Sequence, residues 1–401
     1  MQHQPTATTR TLALVNQTSI LEALKAGGPL SRQQIRARTG LSPATVNRLT
    51  AALVAEGSIA EAGREPSTGG RPSVLLRYVG HGRAVIAVHI HGDDASGALV
   101  DFEGMVIERR GVTLRYEAKP DDDVADSTES QLALLTGLID ELRSSAELNG
   151  TLTEAVGIAV PGIVCGADGT VSRMPGYAWD GVALRRRLRE HTGLPVVVEN
   201  DANSLAFGEL HRGHGVGCAS LVSLYLDRGF GAGIITNAQL HRGTRAEAGE
   251  VGYLLMDRGA LDRSDEHYGD LEARIGSAAL IRRAREAGIV PPEARAITAE
   301  DIFTMAAEGD AAAREIADDV IDMLAIAIGS LVVLIDPELV VIGSSFVETS
   351  ETIIPAIVRR LTGSIISVPM IRGAALGADA VLVGVSELAV VEASNFAYLV
   401  F

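Results

Sequence analysis

The chain has 401 residues, a formal net charge of −16, 47% apolar and 21% charged residues, and only two cysteines. That length fills two or three domains, and the composition is that of a globular chain rather than a disordered or fibrous one. Cys165 and Cys218 lie too far apart in sequence to suggest a disulfide framework or a thiolate metal site, and the longest apolar run, MLAIAIGSLVVLI at 323–335, is too short to span a bilayer. It reads as a buried helix end passing toward a core strand. A polar, threonine-rich N-terminus without a signal pattern adds the expectation of a cytoplasmic protein.

The mean charge hides an asymmetry. Residues 1–78 hold nine Lys and Arg against four Asp and Glu, and the remainder holds 26 against 47. A basic head on an acidic body meets a polyanion with the head alone. In TLALVNQTSILEALKAG, Leu14, Ile20, Leu21 and Leu24 share one helical face before Gly27-Gly28-Pro29. Ser31 then caps a short helix, SRQQIRART, closed by Gly40, and Ser42-Pro43 opens a third with serine as N-cap. There Val46, Leu49 and Leu53 face inward, while Ala44, Asn47, Arg48 and Ala51 face outward. This is a helix-turn-helix pattern. SIAEAG and SVLLRYV follow as the strands of a wing around REPSTGGRP, where Gly70 lets the backbone approach a partner and Arg71 suits a narrow minor groove. The expected DNA contacts are Ser42, Ala44, Thr45, Asn47, Arg48, Gly70 and Arg71. A helical subdomain with a solvated loop is the plainer alternative.

From residue 82 to 401, strand-like and helical runs alternate: AVIAVHI, GALVDFEG, VTLRYEA, a helix over 125–148, then AVGIAVPG. The order indicates an α/β body. Glycine and polar residues concentrate in four loops, 89–97, 161–170, 227–233 and 343–346. Loops at strand ends are where such a sheet binds its ligand.

With these elements in place, the chain resembles the ROK family (repressor, open reading frame, kinase), and specifically its regulators. The resemblance rests on GGPLSRQQIRARTGLSPATVNRLTAALVAEG and STGGRPSVLLR in the head. In the body it rests on GIAVPGIV, VVVENDANSLAFGEL, AGEVG, LIDPELVVIG and ALGADAVLVGVSELA. It implies a winged helix-turn-helix over 1–78 and a two-lobed actin-like (ribonuclease H-like) sugar-kinase fold over 82–401, with a sugar cleft near 200–272. The implied cleft residues are Pro161, Gly162, Asn200, Asp201, Glu250, Tyr253 and Glu272. In family kinases the aspartate matched by Asp201 is the general base. A carboxylate beside an amide also suits vicinal hydroxyls, although Asn200 and Asp201 are equally suited to capping the next helix.

Three departures from the family pattern bear on activity. Where relatives carry a histidine and three cysteines that hold zinc, this chain has Tyr253, Arg263, Asp265 and Asp270, so no metal is expected. Asp265 and Asp270 near Arg263 are then expected to hold the loop. At the first phosphate turn, His89 and His91 replace an aspartate and a glycine; at the second, Asp227-Arg228 replaces Gly-Thr. Gly343-Ser344 replaces the Gly-Gly that approaches adenosine. Together they imply a vestigial base and lost ATP turnover, with no cofactor. The leading expectation is a DNA-binding regulator of the repressor class, sensing a sugar-type effector. It acts as a homodimer or homotetramer on a palindromic operator, without membrane association. Alternatives are a working sugar kinase with a DNA-binding head, a metal-responsive regulator using His89, His91 and Asp93, and a body that only pairs the heads.

Overall fold

A computed structural model describes residues 16–393 apart from 18, 22, 25–26, 56, 66–72, 81, 115–123, 175–176, 178, 228, 263–267, 291–296 and 345. Near the N-terminus, helical residues between 16 and 27 place Ile20, Leu21 and Leu24 in a small core with Ile35, Val46, Leu49, Leu53, Ile59 and Leu76. Leu14 lies outside the described residues. After β1 (Leu30–Ser31), Ser31 and Gln34 form a reciprocal capping box on α1 (Arg32–Thr39), and Gly40 closes it in the left-handed region at φ 69°. α2 (Pro43–Ala55) starts where the serine-proline pair places it, with Ser42 Oγ accepting from Thr45 N at 3.2 Å. Arg32 Nε donates to the buried Thr50 Oγ1 at 2.9 Å and fixes the two helices against each other. β2 (Ile59–Arg64) and β3 (Val74–Tyr78) pair antiparallel as the wing strands, with β1 on the other edge of β3. The wing tip, with Gly70 and Arg71, lies outside the described residues.

The body repeats one plan twice. Its first lobe runs β4 (Arg83–His91), β5 (Asp94–Asp101), β6 (Val106–Thr113), α3 (Val124–Leu148), β7 (Leu152–Val160), β8 (Ile163–Cys165), β9 (Thr170–Ser172), β10 (Val182–Ala183), α4 (Leu184–Thr192) and β11 (Val196–Asn200). The large sheet has the order β11-β7-β4-β5-β6, parallel from β11 to β4 and antiparallel beyond. α5 (Asp201–Arg212) leads into the second lobe: β12 (Leu221–Leu226), β13 (Phe230–Thr236), β14 (Gln239–Leu240), α6 (Glu272–Ile275), α7 (Ser277–Glu286), α8 (Ala299–Glu308), α9 (Ala311–Ile335), β15 (Leu339–Ser344), α10 (Phe346–Leu361), β16 (Met370–Gly373) and α11 (Ala380–Ala393). Its order, β14-β13-β12-β15-β16, has the same mixture of antiparallel and parallel pairs. Two such units in tandem make the ribonuclease H-like, actin-like fold.

Three sequence expectations are corrected. The third strand starts at Val106 and runs to Thr113, earlier than the expected run from 112, of which 115–118 lie outside the described residues: Glu108, Arg109 and Arg110 lie on an exposed edge and mask its strand character. The segment 89–97 is not an open loop, because β4 and β5 pair as far as His91 and Asp94 around a tight turn at Gly92-Asp93. The run 323–335 lies wholly within α9 and is only partly buried: Ile326, Val333 and Leu334 are 55%, 68% and 78% exposed. Among the described residues, no helix is long and apolar enough to cross a membrane.

α5 and α11 cross in the middle of the body, and two glycines permit it. A Cβ at Gly384 would lie 1.7 Å from Ser204 O, and one at Gly208 would lie 2.7 Å from Ala380 O. The end of α5 and the middle of α11 meet near the head-body junction. Arg212, the last residue of α5, donates through Nε to Glu387 Oε1 of α11 at 2.7 Å. Tyr78, the last residue of β3, packs against both the head core and the body core. Burial holds its hydroxyl well above the usual phenol range; the Arg83 guanidinium opposes this, and the Glu387, Glu103 and Glu154 carboxylates reinforce it. Arg83 pairs with Glu154, lies over the Phe102 ring and donates to Ser58 Oγ of the head at 3.1 Å. One guanidinium therefore ties β4 and β7 to the base of the wing.

Candidate functional site

Two regions carry the chemistry: the outer face of α2, and the cleft where β11 runs into α5. On α2, Ala44, Asn47 and Arg48 are exposed and Thr45 is half-buried, while Val46, Leu49 and Leu53 pack inward. Ser42 Oγ and Thr45 Oγ1 lie 2.8 Å apart, so both hydroxyls belong to the helix start.

In the cleft, Asn200 is the N-cap of α5. Its Oδ1 accepts from Asn203 N at 3.2 Å, and its Nδ2 donates to Gly162 O at 3.1 Å. The capping reading therefore holds for Asn200, whose amide also fixes the loop after β7 that begins with Pro161. Asp201 opens α5 and accepts from Ala202 N at 2.7 Å. Burial, with the Asp227 and Glu250 carboxylates nearby, pushes its pKa up to about 8 against that hydrogen bond. Such a carboxyl is mostly protonated at neutral pH. In that form it can donate a hydrogen bond, and once deprotonated it is a stronger base than an ordinary carboxylate.

Glu250 is half-buried ahead of a short 3-10 turn, Val251–Tyr253. Burial raises its pKa, Arg173 lowers it and Glu247 raises it further. The Glu272 carboxylate lies against Gly229 of the second phosphate turn and Gly252, with a Cβ at those glycines 3.2 Å and 2.9 Å from its oxygens. Asp201 thus lies near Glu250 and Asp227 of the second lobe, and Glu272 sits beside Gly252, two residues after Glu250.

Sequence reasoning missed three arginines. Arg173 follows β9 in the left-handed region at φ 51°; its Nη1 donates to Tyr253 Oη at 3.2 Å and its guanidinium lies 5.6 Å from the ring centroid. Arg242, after β14, grips the buried Glu199 through Nε and Nη2 at 2.8 and 2.6 Å. Glu199 also accepts from Asn200 N and Asn203 Nδ2, so an inter-lobe ion pair stands directly behind the cleft asparagine. The third, Arg274, concerns the loop where relatives hold zinc.

That loop does not suit zinc. Among the described residues, no three His, Cys, Asp or Glu side chains are placed to share a metal ion. Asp270 is engaged otherwise, accepting from Met256 N at 2.9 Å and Arg274 Nη2 at 3.0 Å. The expected partner Arg263 and Asp265 lie outside the described residues; the observed partner is Arg274, whose Nη2 also reaches Asp257 Oδ2 at 2.5 Å.

The nucleotide side is equally altered. His89 is buried, its Nε2 meets no hydrogen-bond partner among the described residues, and burial followed by His91 lowers its pKa to about 3. The ring lies 5.1 Å from His91 and 6.2 Å from Tyr225 of the opposite lobe. His91 Nε2 is 2.9 Å from Ser96 Oγ. A neutral imidazole supplies neither a carboxylate for magnesium nor a cation for phosphate, and Asp227 adds a carboxylate where phosphate would lie. The residues present do not fit a metal-bound nucleotide.

Comparisons with known proteins agree with this architecture. A model of the ROK family matches residues 85–392, and a MarR family model matches residues 11–71. The chain belongs to the ROK family, and a winged-helix head on a ROK body places it among that family's DNA-binding regulators. It is 30% identical over 338 residues to a putative xylose repressor of Caldicellulosiruptor sp. strain Rt8B.4, covering 82% of this chain and 83% of that one. It is 26% identical to the N-acetylglucosamine repressor of Escherichia coli O6:H1, covering 86% and 83%. Its fold matches a ROK family transcriptional regulator, homologous to the E. coli MLC protein, at TM-score 0.81 and 23% identity over 96% of this chain and 98% of that one. A Streptomyces griseus ROK glucokinase, solved with glucose and AMPPNP, matches at TM-score 0.63 and 26% identity over 76% and 99%.

Proposed function

We propose that this protein is a sugar-responsive transcriptional repressor whose kinase-like body binds its effector without phosphorylating it. The head, residues 1–78, reads the major groove of a double-stranded operator through Ala44, Asn47 and Arg48, supported by Ser42, Thr45, Gly70 and Arg71. The body, residues 82–401, takes a sugar between its lobes at Asp201, Glu250, Tyr253 and Glu272, on a wall set by Asn200, Pro161 and Gly162. Xylose and N-acetylglucosamine, named for its relatives, are the first effectors to test. Two copies act together on a palindromic site, matching the two-fold symmetry of such operators.

The observation that carries the non-catalytic reading is the buried, neutral His89 at the first phosphate turn, whose Nε2 meets no partner among the described residues. Effector binding has a direct mechanical route to the head. Asp201 begins α5, and this 12-residue helix, ~18 Å long, ends at Arg212, whose partner Glu387 carries its carboxylate near Tyr78. A ligand that prefers one lobe arrangement shifts α5 and thereby the base of the wing. A coupled assay with ATP-magnesium and a panel of hexoses, pentoses and amino sugars tests the reading. No turnover above background is expected. Turnover in the wild type that disappears in Asp201→Asn would make the protein a kinase.

A further inference from the structure

We infer that Arg274 takes over the structural task of the missing zinc and is the positioning residue of the effector site. The inference rests on the cleft reading above and adds a residue that the family motif does not supply. Arg274 lies on the same short helix as Glu272, α6, and is three-quarters buried, with 22% of its side chain exposed. One nitrogen, Nη2, holds Asp257 Oδ2 at 2.5 Å and Asp270 Oδ1 at 3.0 Å. Asp270 in turn accepts from Met256 N at 2.9 Å through its other oxygen.

These contacts close a ring. Met256 and Asp257 follow Tyr253 almost directly, and they are tied through Arg274 and Asp270 back to α6. The ring shuts at Gly269, whose backbone is pressed on the Gly252–Tyr253 peptide: a Cβ at Gly269 would lie 2.1 Å from Gly252 O and 2.5 Å from Tyr253 Cα. Glu272 and Tyr253, two of the proposed effector contacts, are therefore held by one cation between two carboxylates. A bound metal acts in the same topological way, clamping distant loop segments through a central positive charge. The guanidinium does so with fixed planar geometry and without a metal supply. Without Arg274, Asp257 and Asp270 face each other with no shared cation and the ring opens.

Limited trypsin digestion of the full-length protein reads the ring without knowledge of the effector, because Arg258 offers a cut site inside it. Arg274→Ala should be cut there roughly tenfold faster than wild type, the scale expected for loss of such a supporting contact. Arg274→Lys should fall between, since an ammonium does not reproduce the planar fork. Asp257→Asn, at a half-exposed partner, serves as a second variant should Arg274→Ala fail to fold. Calorimetric titration with D-xylose and with N-acetyl-D-glucosamine should show weakened binding in the same order, with unchanged DNA affinity and melting temperature close to wild type. EDTA should leave wild-type digestion unaltered. Equal digestion of wild type and variants, or stoichiometric zinc whose removal loosens the loop, overturns the inference. If neither sugar binds wild type, the cleft reading fails, and the digestion comparison still decides the role of Arg274.

Discussion

Arg212, the last residue of α5, donates through Nε to Glu387 Oε1 of α11. Their 2.7 Å contact joins the end of the helix that starts at Asp201 to α11, whose Glu387 carboxylate lies near Tyr78 at the end of β3. Glu387 is nearly buried and Arg212 about a third exposed, so truncating either should cost about 1–2 kcal/mol of stability after solvent screening. The distinctive expectation concerns coupling. Glu387→Gln should bind sugar as the wild type does, yet respond to it with a much smaller change in operator affinity. A double-mutant cycle with Arg212→Gln checks it, and independent effects of the two changes would remove the pair from the route.

The cleft carboxyl makes stability fall with rising pH. Asp201 has a folded pKa of about 8 against an ordinary value of 3.8, so between those values the folded state holds a proton that the unfolded chain has lost. Its contribution to stability is present at acid pH and is lost as pH rises through that window. Asp201→Asn should flatten this slope and be more stable than wild type near pH 8, by a margin on the order of a few kcal/mol. Melting temperatures measured across this range test it.

His89 acts in the opposite sense. Its folded pKa of about 3 lies below the ordinary 6.5, so the unfolded chain takes up a proton first as pH falls. The resulting stability is present above 6.5 and declines toward 3. His89→Leu should lose less stability on acidification than wild type does, as denaturant titrations at two pH values would show.

For the head, Asn47→Ala, Arg48→Ala and Arg71→Ala should each weaken operator binding by about 1–3 kcal/mol while leaving sugar binding unchanged. Base-reading positions should also relax sequence preference, whereas a phosphate-contacting one should mainly lower the salt dependence. Fluorescence anisotropy at two salt concentrations separates the two roles.

Much of the head was legible in the sequence because its signals are local. The Ser31 and Ser42 caps, Gly40 and the inward Val46, Leu49 and Leu53 stand where their spacing places them. The cleft was legible in part: Asn200 and Asp201 mark it by their motif, but the double use of the Asn200 amide emerges only once Gly162 is beside it. Arg242 and Glu199 are 43 residues apart, and Arg173 meets Tyr253 across 80. No periodicity reports such pairs, which is why the inter-lobe struts and the Arg274 clamp were missed. β6 was displaced for a different reason. The β-branched and aromatic residues of VTLRYEA outweighed an exposed strand of charged residues whose pairing with β5 is a tertiary fact.

Sugar bound between the lobes is expected to change the grip of the head on DNA. The most direct measurement is the affinity of the full-length protein for its operator duplex, with and without saturating sugar, by fluorescence anisotropy. The expected shift is roughly 5–150-fold, the range of ordinary allosteric coupling, and is abolished by Asp201→Ala. Operator affinity that is identical with and without a sugar shown to occupy the cleft would contradict it.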